Sequence, residues 1–257
     1  MFTNKYPFFK RGNILKKYML ENLRDFPRDM FNIIFEDYSD GILKGCDLTV
    51  EEDQIIIGRG IIKHKSDLYF REDNTAISYQ RENRELVLKL EFEQQEQEEY
   101  KLQKGVPGLT VEEELDENEM ELARFKLRKG ARLRADYRKF SDFNTEYNTI
   151  NIIHAKYAGI KKPTLHPHIF NMFANIVYQG DTDDMLDLSF CSQILNKGCN
   201  SGRLVDNYLK RRLQLKKDEF TNAERYKYLH KIVRKVQKKK QPEKTKKPKN
   251  RQKIIID

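Results

Sequence analysis

Glu85-Leu86-Val87-Leu88-Lys89-Leu90-Glu91-Phe92 is the stretch from which the fold can be read. Leu86, Leu88, Leu90 and Phe92 fall on every second residue, and the residues between them are charged or β-branched. A period of two predicts a strand with one buried and one exposed face, as in an antiparallel sheet. Ala123, Phe125 and Leu127 repeat the device. Between these runs, residues 93–121 are crowded with carboxylates and contain Gly105-Val106-Pro107-Gly108, so an acidic loop or long hairpin end is expected to protrude there.

Upstream, short apolar runs rich in β-branched residues follow one another: Ile42 to Val50, Gln54 to Ile57, Ile61-Ile62, Leu68 to Phe70 and Thr75 to Tyr79. Turn or bulge material divides them, including Glu51-Glu52-Asp53, Gly58-Arg59-Gly60 and Lys65-Ser66-Asp67. The order predicts an antiparallel meander, with one more strand over Thr149 to Tyr157.

Both flanks change to helical spacing. Leu15, Tyr18, Met19 and Leu23 recur at three- and four-residue steps after Asn13, a capping residue type. Phe26-Pro27 is expected to break this helix, with Asp25 capping a second one that carries Met30, Ile33 and Ile34 and ends at Ser39-Asp40-Gly41. Such an amphipathic pair needs a partner surface, either the protein's own core or a neighbouring subunit. Leu15, Tyr18, Met19, Leu23, Phe26, Met30, Ile33 and Ile34 are therefore the candidate docking residues.

Downstream of Lys162-Pro163, Pro167 suits a first helical turn, Ile169, Phe173, Ile176 and Val177 form a stripe, and Gly180 fits the position past the end. Asp181 to Asp184 can cap a second helix, and Ser201 a third. Thr221-Asn222-Ala223-Glu224 matches a capping box ahead of the stripe Leu229, Ile232, Val233 and Val236. The fold class expected is α+β: an N-terminal helical pair (1–40), a central antiparallel β domain (41–160) with its acidic loop near 93–121, a helical domain (161–240) and a disordered basic tail (241–257).

Charge is distributed unevenly. The chain carries +9, but residues 231–253 hold 12 basic residues against one acid, leaving 37 basic and 39 acidic residues, or −2, for everything else. A basic patch of this kind points to a polyanion or an acidic protein surface, and here it belongs to the C-terminal segment. Lys238, Lys239, Lys240, Lys244, Lys246, Lys247, Lys249 and Arg251 are the candidate binding residues. No aromatic residue interleaves them, so stacking on single-stranded bases is not indicated. Charged residues make up 35% of the chain against about 25% in an average globular protein, which is consistent with a solvated segment.

Catalytic and metal-binding patterns are missing. No Gly-rich loop ends in Gly-Lys-Ser/Thr; Lys197-Gly198-Cys199-Asn200-Ser201-Gly202 reads as a helix stop and restart. His166-Pro167-His168 lacks a second ligand pair, and its expected role is capping or surface exposure rather than metal binding. No Gly-x-Ser-x-Gly elbow occurs. The carboxylates at 91–99 and 112–121 are too dense for a desolvated acid/base pair, and a solvated face is expected. Cys46, Cys191 and Cys199 form neither an even framework nor a CxxC pair, so reduced, small apolar residues are expected. No stretch reaches the ~18 apolar residues of a membrane span, and Met1 to Asn13 lacks the ~7–15-residue apolar region of a secretory signal. These readings predict an intracellular protein with no cofactor, no membrane insertion, no small-molecule substrate and no enzymatic activity.

Two further stretches carry a resemblance: Tyr38-Ser39-Asp40-Gly41-Ile42-Leu43-Lys44-Gly45-Cys46, and Ile55-Ile56-Ile57-Gly58-Arg59-Gly60-Ile61-Ile62 followed by Asp67-Leu68-Tyr69-Phe70. Their order, over residues 15–92, resembles the β-module of phage-tail and tail-like baseplate or fibre-attachment proteins. Glu121 to Leu133 and the helical block are similar to uncharacterised bacterial prophage-associated proteins, some labelled "DNA and RNA helicase", although no helicase motif is present. The resemblance implies a structural or adaptor subunit of a tail-like particle, made in the bacterial cytoplasm and then assembled. It brings no catalytic residues, and its partners are other tail or baseplate proteins and the chain itself. The alternative is a nucleic-acid-binding accessory protein using the Lys-rich tail.

Overall fold

The computed structural model describes residues 3, 7–12, 14–81, 83–96, 100–112, 114–180, 182–196 and 201–239. The architecture is α+β, with antiparallel sheets in the middle of the chain and helices on either side. Six short strands come first: β1 (Gly41–Gly45), β2 (Leu48–Glu51), β3 (Gln54–Ile57), β4 (Gly60–His64), β5 (Asp67–Arg71) and β6 (Thr75–Ser78). They do not form the expected meander. β2-β3 and β4-β5 pair as neighbours, but the strands sort into two antiparallel sheets of order β1-β4-β5 and β2-β3-β6.

The cause lies at the end of β1. Gly45 and Cys46 both take left-handed backbone conformations, at φ of 71° and 59°, and turn the run Ile42 to Val50 from one sheet into the other. Only glycine fits at position 45, where a Cβ would stand 2.1 Å from the Arg59 carbonyl oxygen. Gly58-Arg59-Gly60, expected as turn material, makes the reciprocal crossing between β3 and β4.

The third sheet confirms the decisive alternation. β7 (Glu85–Glu96) lies between β8 (Lys101–Thr110) and β9 (Glu119–Lys126), with Leu86, Leu88, Leu90 and Phe92 buried and Glu91 and Glu93 exposed. Val87 is buried as well, so both faces are covered at the base of the strand. β7 and β8 form a long hairpin in which Leu90 pairs with Pro107 and Lys89 with Gly108, so Gly105 to Gly108 belong to a strand rather than to a loop. β8 is an edge strand, where the donor missing from proline is tolerated. Residues 149–157 form no strand. They bridge singly to Arg124, Arg134, Ile42 and Thr164 and so serve several neighbours in turn instead of one ladder.

α1 (Lys17–Ile34) is one continuous helix with Pro27 inside it, where the sequence predicted a pair. A proline deprives the carbonyl four residues earlier of its donor, here that of Leu23. Leu23 is exposed, so water can take the donor's place. The other helices match expectation: α2 (Pro167–Gln179), α3 (Met185–Asn196), α4 (Gly202–Leu213) and α5 (Asn222–Lys239). His166 caps α2, accepting from the His168 N–H at 3.0 Å, with Pro167 at the first position. The Asp184 carboxylate accepts from the Leu186 N–H and the Ser201 hydroxyl from the Arg203 N–H. Asn13 and Asp181 lie outside the described residues.

Apolar residues from all three sheets and from α2–α5 join one buried cluster, from Ile42 through Leu88, Phe125 and Phe173 to Val236. Phe140 opens a short 3-10 helix (Phe140–Asn144) and stacks on Tyr226, whose hydroxyl donates to the Phe140 carbonyl at 2.6 Å. Among the described residues, no helix is long and apolar enough to cross a membrane.

Candidate docking helix and interior polar clusters

α1 contributes no buried residue. Leu15 lies just ahead of it; Tyr18, Leu23, Phe26, Met30, Ile33 and Ile34 are exposed along it, and Met19 is half-buried. Ile33 is 72% exposed and Tyr18 61%, values usual for lysine rather than for large apolar side chains. Met19, Leu23, Phe26, Met30 and Ile33 alternate four- and three-residue steps, the seam spacing by which one helix receives the side chains of another. Leu20, Phe31 and Ile34 widen this apolar face.

The helix is fastened at its C-terminal end. The buried Lys63 ammonium, on β4, donates to the carbonyls of Phe35 at 2.6 Å, Glu36 at 3.0 Å and Tyr38 at 2.7 Å. All three ammonium donors are thereby satisfied, and the positive charge sits at the negative end of the helix dipole. The Lys161 N–H donates to the Asp37 carbonyl at 2.7 Å, and Ser39 exchanges bonds with Gly159. Nothing in the sequence signals this clamp, because a lysine in a strand reads as solvated.

A cleft of about 820 Å³ opens between the Gly45–Gly60 crossing and the start of α2, with Asp47, Arg59, Tyr157, His166 and His168 on its walls. Its central polar groups are already committed. His166 Nδ1 accepts from the His168 N–H, which leaves the ring proton on Nε2, 3.1 Å from the Tyr157 oxygen; the Tyr157 hydroxyl then donates to the Gly45 carbonyl at 3.2 Å. Burial, helped by His168, pushes His166 down to about 3, and burial raises Tyr157 above its ordinary value. Near neutral pH neither group exchanges a proton readily, and neither ring nitrogen of His166 is free for a metal. The pair fastens β1 to α2.

Two ion pairs join the helices, one buried on both sides and one only on the side of its carboxylate. Arg225 meets Asp206 through two bonds at 2.7 and 2.9 Å and also donates to the Pro163 carbonyl, while Arg212 and the Tyr208 hydroxyl both donate to the fully buried Asp187. In the acidic region, Glu91, Glu93 and Glu96 are exposed as expected, but Glu119 and Glu121 are not solvated: they pair with Lys89 and Arg124. Both described cysteines are buried, and desolvation raises Cys46 to about 11 and Cys191 to about 12, which keeps these thiols protonated and unreactive. Lys238 is exposed near the end of α5 and Lys239 is its last residue. The remaining tail candidates, Lys240, Lys244, Lys246, Lys247, Lys249 and Arg251, lie outside the described residues, as do the whole of 241–257, Lys197–Asn200 and with them Cys199.

No family model and no curated protein matches this chain. Among solved structures, the chain is similar to the crystal structure of TssK with a TM-score of 0.30 and 9% sequence identity, over 93% of this chain and 57% of that one. The chain thus spans a little over half the length of TssK.

Proposed function

We propose that this chain is a structural adaptor subunit of a phage-tail-like assembly, of the baseplate or fibre-attachment kind, and that it works through protein–protein interfaces rather than catalysis. The observation that carries this reading is α1, an 18-residue helix with no buried residue and an apolar seam at four-three spacing. Apolar surface of this extent is stabilised only when another macromolecule covers it. The seam spacing fits a helix of a neighbouring subunit as the occupant. Because Lys63 already fixes the helix end, docking loses less conformational entropy than ordering a free segment would.

In this reading the β region (41–160) is a rigid spacer, and the helical region with its basic tail (161–257) meets a further component. The tail-like setting, with synthesis in the bacterial cytoplasm before assembly, rests on the resemblance carried by residues 38–70. The committed state of Tyr157 and His166 supports a non-enzymatic role.

Sedimentation of extracts from the producing cells tests the proposal. The wild-type chain is expected in a large particle at moderate salt. Leu23→Glu/Met30→Glu alters two exposed side chains and should leave the protein slow-sedimenting with an unchanged melting temperature. A wild-type chain found only as free monomer, or a double variant that still enters the particle, overturns it.

A further inference from the structure

The outward face of α5 carries Lys227, Lys231, Arg234, Lys235 and Lys238, all exposed. Their spacing confines them to an arc of roughly 100° and a length of ~16 Å on a helix of 3.6 residues per turn. The opposite face, with Leu229, Ile232, Val233 and Val236, is buried in the core, so the stripe is rigidly held. All five cations line a groove of about 870 Å³ whose walls include no Asp or Glu. Among the described residues, none of the five has a carboxylate within ion-pair distance. In a chain with 40 acidic residues, such a concentration of uncompensated charge is the electrostatic footprint of a polyanion-binding face.

We propose that this groove on the folded body binds the phosphate backbone of double-stranded nucleic acid without reading its sequence. A protein partner fits less well. Lysine is depleted from protein interfaces, which rest on apolar or aromatic anchors, and the aromatic groups here are already engaged. Tyr226 is 3% exposed with its hydroxyl bonded to Phe140, and Tyr228 packs edge-on against Phe220. The acidic hairpin of a second copy is no better suited, since Glu93 stands opposite Lys104 and Glu96 opposite Lys101 within its own sheet. A membrane surface would call for an exposed apolar face on α5, and that face is buried. Duplex is favoured over single strand because no free aromatic surface is offered for base stacking. The site is independent of the docking role proposed for α1, and it lies on the described helix rather than in the tail.

Fluorescence anisotropy of a labelled random-sequence DNA duplex with the full chain tests the proposal. Five phosphate contacts give a slope of log affinity on log salt of about −4.5, or roughly a five-hundredfold loss between about 50 and 200 mM salt. Lys231→Ala/Arg234→Ala/Lys235→Ala should make the slope shallower by about 2.7. Replacing Lys244, Lys246, Lys247 and Lys249 by Gln in the full chain should leave at least the groove's own slope of about −4.5. The melting temperature of each variant serves as the control for folding. The proposal is overturned if the wild type fails to bind duplex, if the triple variant keeps the wild-type slope, if the tail variant alone loses the salt dependence, or if polyglutamate competes as well as unlabelled duplex.

Discussion

Asp187, Asp206 and Arg225 each occupy a position that helical spacing assigns to the core. Asp187 precedes Phe190, Cys191 and Ile194 on one stripe, Asp206 stands between Val205 and Leu209, and Arg225 heads the row Leu229, Ile232 and Val236. A charge on an apolar stripe was therefore visible in the sequence; its partner was not, because Asp206 and Arg225 lie on different helices. Gly202 makes room for the pair, since a Cβ there would stand 2.2 Å from the Pro163 carbonyl oxygen and 2.8 Å from Arg225 Nη2. Replacing Arg225 by Met leaves a buried carboxylate without its counter-ion and is expected to cost about 3–5 kcal/mol in urea denaturation, whereas Arg225→Met/Asp206→Leu should recover most of that loss. A single variant as stable as the wild type would show that the pair contributes little.

At the scale of elements, the helices downstream of residue 160 were legible because their caps are local chemistry. The Thr221 hydroxyl accepts from the Glu224 N–H at 3.2 Å and the Glu224 carboxylate accepts from the Thr221 N–H at 2.9 Å, the reciprocal bonds that the four residues predict. Thr221→Ala should lower unfolding free energy by about 0.5–2 kcal/mol, and Thr221→Ser should retain most of it; equal losses from both would assign the effect to packing rather than to the cap. α1 shows where local reading fails. Proline chemistry predicted a break, but whether a helix tolerates a missing donor depends on what surrounds the orphaned carbonyl, and the apolar stripe alone does not say whether the protein's own core covers it. Gly180 was placed correctly for an incomplete reason. Its φ of −82° needs no glycine, but a Cβ would stand 2.2 Å from Val236 Cγ1 on α5.

Across the whole molecule, His64, His154, His166, His168 and His230 all have pKa values pushed below the ordinary histidine value, with burial the largest cause in each. Asp40 and Asp67 oppose this at His64, as Glu121 and Glu85 do at His154, without reversing it. Depressed values mean that the unfolded chain binds more protons than the folded one below about pH 6.5, so stability is fully present above that pH and is lost as pH falls. For His166 the loss continues down to about pH 3, at up to about 1.4 kcal/mol per pH unit. Carboxylates with lowered values, among them Glu119 and Glu224, add to the loss only below about pH 4.5. Resistance to urea should therefore weaken already between about pH 6.5 and 4.5, with a shallower dependence in His166→Asn, which keeps a capping oxygen; a flat profile over that interval would contradict the burial of these rings. By itself the sequence determined the α+β class, the alternating strand β7, the four downstream helices and the isolation of positive charge toward the C-terminus, because periodicity, caps and charge are properties of residues close in the chain. Tertiary structure alone decided the sorting of six strands into two sheets, the clamp of Lys63 on α1, the commitment of His166 to Tyr157 and the groove along α5. Each depends on groups brought together from distant parts of the chain, and burial, which sets the cost of an unmatched charge or carbonyl, exists only once the chain has folded.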